Sequence, residues 1–151
     1  MIETFWEEFC KNQKLKNVSM PEAWMFGDGA NTEMADDLVN LVLEGKKRGT
    51  CSVFDFYRIS GDPLPQIGQY DIVLNGKSEP VAVIQIKKIE IVKMDDVTEE
   101  FALSEGEGDL TYQYWYDEHK KFFINEAESL GTSFDTQMEL ICENFEVVYR
   151  V

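Results

Sequence analysis

Gly45-Lys46-Lys47-Arg48-Gly49-Thr50-Cys51-Ser52 is the stretch on which the reading of this chain turns. Upstream, Met34 to Leu43 is an apolar run at helical spacing, which Asn31 or Thr32 can cap and Gly45 can end in a left-handed turn. Downstream, Cys51 to Ile59 is dominated by β-formers and predicts a strand. The octapeptide is thus a helix-to-strand corner. It is also a chemical exception in a chain of net charge −15, since three adjacent cations, Lys46, Lys47 and Arg48, precede three small hydroxyl or thiol side chains, Thr50, Cys51 and Ser52.

Working outward, Ile2, Phe5, Trp6, Phe9 and Cys10 fall on one face of a helix over about residues 2–13. A connector rich in aromatics and glycine, Pro21 to Gly29, leads to the second helix. Past the corner, Ser60 to Pro65 reads as a turn cluster and Tyr70 to Leu74 as a strand, with Asn75-Gly76 a hairpin signal. Pro80 then opens a long strand to about Val92, whose alternation slips near Ile86 to Lys88 and predicts a bulge. Asp95 or Asp96 is expected to cap a short helix ending at Ser104. Glu105 to Asp109 is a loop, and Thr111 to Leu130 is the longest helix, stopped by Gly131. Met138 to Cys142 and Phe145 to Val151 read as a last strand pair or one bent strand. Helices and strands mix without strict βαβ alternation, so the expected class is α+β with a mostly antiparallel sheet, in one domain.

Charge narrows the partners. Residues 94–151 hold 15 acids against Lys120, Lys121 and Arg150, so most of the negative charge lies in the second half. A long duplex polyanion is repelled by that half, whereas a small nucleotide-sized ligand or a short single strand in a pocket is allowed. No apolar run approaches the ~20 residues that cross a bilayer. The acidic start, Met1 to Glu8, does not read as a secretory signal. Cys10, Cys51 and Cys142, odd in number and without CxxC spacing, read as reduced thiols of a cytoplasmic protein. Neither a metal nor a cofactor is expected.

Several side chains are candidates for chemistry. Lys47 and Thr50 sit three apart at a helix end; a partly buried Lys47 would have a lowered pKa and polarise a carbonyl or accept a proton, with Thr50 as nucleophile or water-orienting group. The plainer alternative is a solvated run of cations complementing the helix dipole. Glu105, Glu107 and Asp109 crowd a glycine-rich loop, where neighbouring carboxylates raise one another's pKa; the alternative is an acidic surface loop. His119, the sole histidine, lies among Trp115, Tyr116, Phe122 and Phe123 and reads first as a core histidine, second as a ligand contact. Without a second histidine, Cys51 and Ser52 do not complete a conventional triad. Trp24 and Phe26 flank a loop and either stack on a base or plug the core.

Taken in order, these pieces resemble the ASCH domain, whose fold is similar to the PUA domain of RNA-modifying proteins. The resemblance rests on Trp24 to Asp28, Ala35 to Val39, Leu43 to Ser52, Gly68 to Leu74 and Phe101 to Asp109. It continues through Trp115, His119, Phe122 and Phe123, and ends on Cys142-Glu143-Asn144-Phe145. It covers nearly the whole of residues 1–151 and implies one ASCH-like domain, a small mixed or antiparallel β-barrel flanked by helices with a cleft between them. It further implies RNA- or nucleoside-related ligands. Some members hydrolyse the acyl amide of N4-acetylcytidine with a lysine, a threonine and a glutamate, and one is described as a ribonuclease. The family's Gly-x-Lys-x-x-Thr pattern falls on Gly45, Lys47 and Thr50, and its glutamate on Glu105, with Glu107 as the alternative. The resemblance therefore implies Lys47, Thr50 and Glu105 as catalytic residues, with Trp24, Phe26, Lys46, Arg48, Ser52, Glu107 and His119 around a nucleoside or short single-stranded RNA. In amide hydrolysis Thr50 or its water would attack, Glu105 would protonate the leaving amine, and Lys47 would face the oxyanion. A non-enzymatic binding module is the competing expectation. Arg48-Gly49 replaces the family's commoner Thr-Ala, which is expected to loosen the corner.

Overall fold

The computed structural model describes residues 1–27 and 29–151; Asp28, in the expected connector, lies outside the described residues. The order is α1 (Ile2–Asn12), β1 (Ala23–Trp24), α2 (Thr32–Leu43), β2 (Gly49–Val53), α3 (Phe54–Ser60), β3 (Tyr70–Leu74), β4 (Pro80–Lys93), a 3₁₀ turn (Met94–Asp96), α4 (Glu99–Ser104), α5 (Tyr112–Ser129) and β5 (Glu139–Arg150). One sheet runs β1-β3-β4-β5-β2, antiparallel except for the short parallel pairing of β1 with β3. The class is α+β as expected. The expected barrel is not closed: β1 and β2 are the two edges, and no ladder joins them among the described residues.

Two long strands organise the rest. β4 and β5 pair over almost their whole length, and the register shifts between Ile86 and Lys88, where the alternation of the sequence slips. The bulge bends the sheet, so the first half of β4 pairs with β3 while β2 lies along the first half of β5. β5 is one strand, the second of the two forms expected for it.

Three buried clusters hold helices to this sheet. Phe5, Trp6 and Phe9 of α1 pack on Ile72, Leu74 and Val83. Val39 and Val42 of α2 pack with Phe26, Val73, Ile84 and Phe145. Trp115, Phe123 and Ala127 of α5 pack with Val53, Phe56, Leu140 and Cys142. Burying one such aromatic or aliphatic side chain contributes roughly 1.5–3 kcal/mol, which is why each amphipathic stripe finds a sheet face.

Three expectations need correction. The strand expected over Cys51 to Ile59 ends at Val53, and Phe54–Ser60 is the helix α3. β-propensity measures fit to a half-buried pleated surface, and Phe56 finds its burial on a helix face instead, in the cluster with Trp115. The short helix before Ser104 is capped by Thr98, whose hydroxyl accepts from the Phe101 amide, while Asp95 and Asp96 lie in the preceding 3₁₀ turn. The link at Asn75-Gly76 is longer than a two-residue hairpin: Asn75 N–H donates to the Glu79 carbonyl, and Ser78 takes the positive φ. Asn31 does cap α2, accepting from the Met34 amide.

Candidate functional site

The corner residue Lys47 meets the loop after α4. Its Nζ lies 3.0 Å from Glu105 Oε1 and 2.8 Å from Glu107 Oε2. Lys47 is 2% exposed and Glu105 1%. Their elements are joined by backbone: Arg48 N–H donates to the Ser104 carbonyl at 2.7 Å. Gly106, at φ +67, presses against the Lys46–Lys47 peptide, where a Cβ would lie 2.2 Å from the Lys46 carbonyl oxygen. Only glycine accommodates both that conformation and that approach. Gly49 makes a similar seam: a Cβ there would meet Ser104 Oγ at 2.5 Å. The glycine that was expected to loosen the corner is what lets α4 pack onto it.

Glu105 is saturated. Besides Lys47 on Oε1, its Oε2 accepts from Trp115 Nε1 at 2.6 Å and from Cys51 Sγ at 3.2 Å, and lies 3.2 Å from His119 Nε2. His119 Nδ1 is 2.7 Å from the Trp115 carbonyl oxygen. A carbonyl only accepts, so Nδ1 donates, and Nε2 faces a carboxylate oxygen that also accepts. The imidazolium satisfies both. Burial disfavours that charge, but the charge and hydrogen bond of Glu105 outweigh it and hold the pKa of His119 above 6.5. Burial would likewise raise the pKa of Glu105; the Lys47 and His119 charges, with the His119 and Trp115 hydrogen bonds, instead hold it well below the usual carboxylate range. For Lys47, burial pulls the pKa down and the Glu105 and Glu107 charges more than restore it, so it rises. The expected lowering of the Lys47 pKa is therefore reversed, and Glu105 is lowered where a raised pKa was expected: Lys47, Glu105 and His119 fix one another as ions.

This cluster forms one wall of a cleft of about 370 Å³. Lys47, Thr50, Glu105, Glu107, His119 and Phe26 line it, together with Tyr114 and Phe122. The Phe26 ring lies under the Lys47 ammonium, 5.3 Å from its centroid. The other sequence candidates stand elsewhere. Trp24 packs edge-on against Phe26 at 4.7 Å in the core. Lys46 is exposed and pairs with Glu44. Ser52 Oγ is bonded to the Tyr57 hydroxyl at 2.7 Å. Arg48 lines a second cleft, of about 500 Å³, with Lys87 and Lys88.

Cys51, Glu105 and His119 bring ligand atoms within 4.8 Å of one another, a set that bears on metal binding. Each of those atoms already has a hydrogen-bond partner in the cluster, and the Lys47 ammonium on Glu105 supplies the positive charge a cation would bring. The donor set thus fits an internal ion-pair network. Sequence reasoning missed Trp115 and Cys51 as partners of Glu105; the signal for Trp115 was its place one helical turn before His119, which puts an indole N–H and an imidazole on one stripe.

No helix among the described residues is long and apolar enough to cross a membrane. No curated protein matches the chain at a significant level. Among solved structures, the crystal structure of an Enterococcus faecalis protein is 44% identical with a TM-score of 0.90, covering 97% of this chain and 87% of that one. An ASCH domain from Lactobacillus crispatus is 32% identical, also with a TM-score of 0.90, covering 99% of this chain and 94% of that one. The ASCH domain model matches residues 22–149. With the Lys47 corner, the Glu105 loop and the sheet between them in place, the chain belongs to the ASCH domain family.

Proposed function

We propose that this protein is a small hydrolase acting on the acyl amide of a modified nucleoside, most concretely an N4-acylcytidine amidohydrolase. The observation that supports it is the Lys47 ammonium, held 3.0 and 2.8 Å from two carboxylates on the wall of a cleft that Thr50 also lines. The cleft falls in the range of small-ligand pockets, roughly 300–1,000 Å³. Phe26, Tyr114 and Phe122 offer it aromatic surface suited to a flat base. Amide hydrolysis builds negative charge on the carbonyl oxygen, and a preorganised cation in a poorly hydrated wall stabilises it. Lys47 takes that role because its charge does not depend on pH near neutrality. Glu105 positions Lys47; a carboxylate held this far below its ordinary pKa is a poor proton donor, so the leaving amine draws its proton from another group. Thr50 supplies the nucleophile, directly or by orienting a water.

The test is incubation with N4-acetylcytidine, following cytidine and acetate. Turnover by the wild type and loss of at least about 100-fold in Lys47→Ala are expected. Wild-type inactivity, or an unimpaired Lys47→Ala, rejects the reading. One competing reading is a non-enzymatic module for single-stranded RNA, which would use the second cleft, where Arg48, Lys87 and Lys88 stand beside Glu90, Glu100 and Glu146. Tight, salt-sensitive binding of an oligonucleotide without turnover would establish that instead.

A further inference from the structure

A proton has to leave Thr50 or its water, and the cluster around Glu105 does not take it. Lys47 is protonated and doubly paired, and Glu105 is saturated. The other face of β2 offers an acceptor. Thr50 pairs directly with Glu143 across the β2–β5 ladder. Opposed residues of an antiparallel pair point to the same side, with Cβ atoms about 4.5–5.5 Å apart, so a side-chain rotation can bring the threonine hydroxyl and the glutamate carboxyl together, although no hydrogen bond joins them in this structure. Glu143 is 9% exposed, and its carboxyl has no hydrogen bond or ion pair among the described residues. No fully enclosed side-chain polar atom lacks a partner among the described residues, so the Glu143 oxygens keep a trace of solvent contact. A nearly buried carboxyl without a partner among the described residues thus stands opposite Thr50, the hydroxyl of the cleft.

We infer that Glu143 is the proton acceptor for Thr50 in the hydrolysis proposed above, an inference that rests on that reading. The Glu143 carboxylate takes the Thr50 Oγ1 proton as Oγ1 bonds to the acyl carbon. The oxyanion formed faces Lys47. The protonated Glu143 then gives its proton to the exocyclic nitrogen as the C–N bond breaks, leaving cytidine and an acyl ester on Thr50. Water attacks that ester, Glu143 takes its proton and returns it to Oγ1 as the C–O bond breaks, and the carboxylic acid leaves. One water is consumed per amide cleaved.

The surroundings suit the task. Burial, then the charges of Asp71 on β3 and Glu105 after α4, push the Glu143 pKa up to about 7, close to the value wanted of a base working near neutrality. Ile89 flanks it on β4. On the α3 side stands Tyr57, whose hydroxyl, raised to about 12 by burial, stays neutral.

The experiment measures kcat and KM for N4-acetylcytidine from pH 5 to 9 in the wild type, Glu143→Gln and Glu143→Asp, with stability of each followed by denaturant. The wild-type kcat/KM should rise through a limb near pH 7. Glu143→Gln should fold, lose about 100-fold or more in kcat with KM little changed, and lose the limb; Glu143→Asp should keep the limb and part of the rate. A wild-type rate and limb in Glu143→Gln overturn the inference while leaving the hydrolase reading intact. Absence of turnover in the wild type fails the hydrolase reading, and this inference with it.

Discussion

The two faces of β2 hold buried carboxylates in opposite conditions. Behind Cys51, Glu105 has Lys47, Trp115, Cys51 and His119 around it and stays ionised. Across from Thr50, Glu143 is almost as buried, has no partner among the described residues, and is poised near neutrality. Burial alone does not decide the charge of a group; the donors that burial brings with it do. One face uses its ions to fix geometry. The other leaves a proton free to move.

The largest effect should come from breaking the saturated face. Lys47→Met takes the ammonium away from Glu105 and Glu107, and urea unfolding should show a loss of about 3–5 kcal/mol. A loss near zero would make the two faces equivalent. The unpaired face should answer in the opposite direction. The folded pKa of Glu143 lies above its ordinary 4.5, so in the window from 4.5 to about 7 the folded state holds the proton more strongly than the unfolded chain. That group's contribution to stability therefore falls as pH rises through this window, by on the order of 3 kcal/mol. Glu143→Gln should match the wild type at pH 4 and exceed it at pH 8. A variant both more stable and less active marks a site kept for function.

Glu105 gives the mirror-image slope. Its pKa is depressed, so its stabilisation is present above pH 4.5 and is lost as pH falls below. His119, raised above 6.5, contributes below that value and loses its contribution as pH rises through its folded pKa. NMR titration of the His119 ring should show a midpoint above 6.5 that falls back in Glu105→Gln. Gly106→Ala, forced into a left-handed conformation against the Lys46 carbonyl, should cost at least about 1–2 kcal/mol. Smallest of all, Lys46→Ala should change stability by less than about 0.5 kcal/mol, since its pair with Glu44 is solvated.

Much of this was legible beforehand, for identifiable reasons. The corner announced itself because Gly45 ends a periodic run, and the bulge because Ile84 and Ile86 fall out of phase with Val81, Val83, Ile89 and Ile91. The meeting of Lys47 with Glu105 followed from the resemblance, since no local pattern connects positions 58 apart. What failed was local competition. Phe54 to Tyr57 carry strong strand preference, yet Gly61, at φ 80, closes a helix after them, and that signal reads equally as a turn. β1, two residues long, leaves no periodicity to find. Glu143 stayed hidden because an acid in a strand defaults to the solvent face, and which face is solvated depends on the bend in β4 and on the threonine opposite.

The seam of Gly106 on the Lys46–Lys47 peptide has a practical corollary for handling the protein. Because the amine and its acids are supplied by segments far apart in the chain and touch through backbone, separating the loop after α4 from the corner takes the cleft wall apart. If the proposed hydrolysis of N4-acetylcytidine is found, its loss and the loss of tertiary structure around the corner should follow a single denaturation curve.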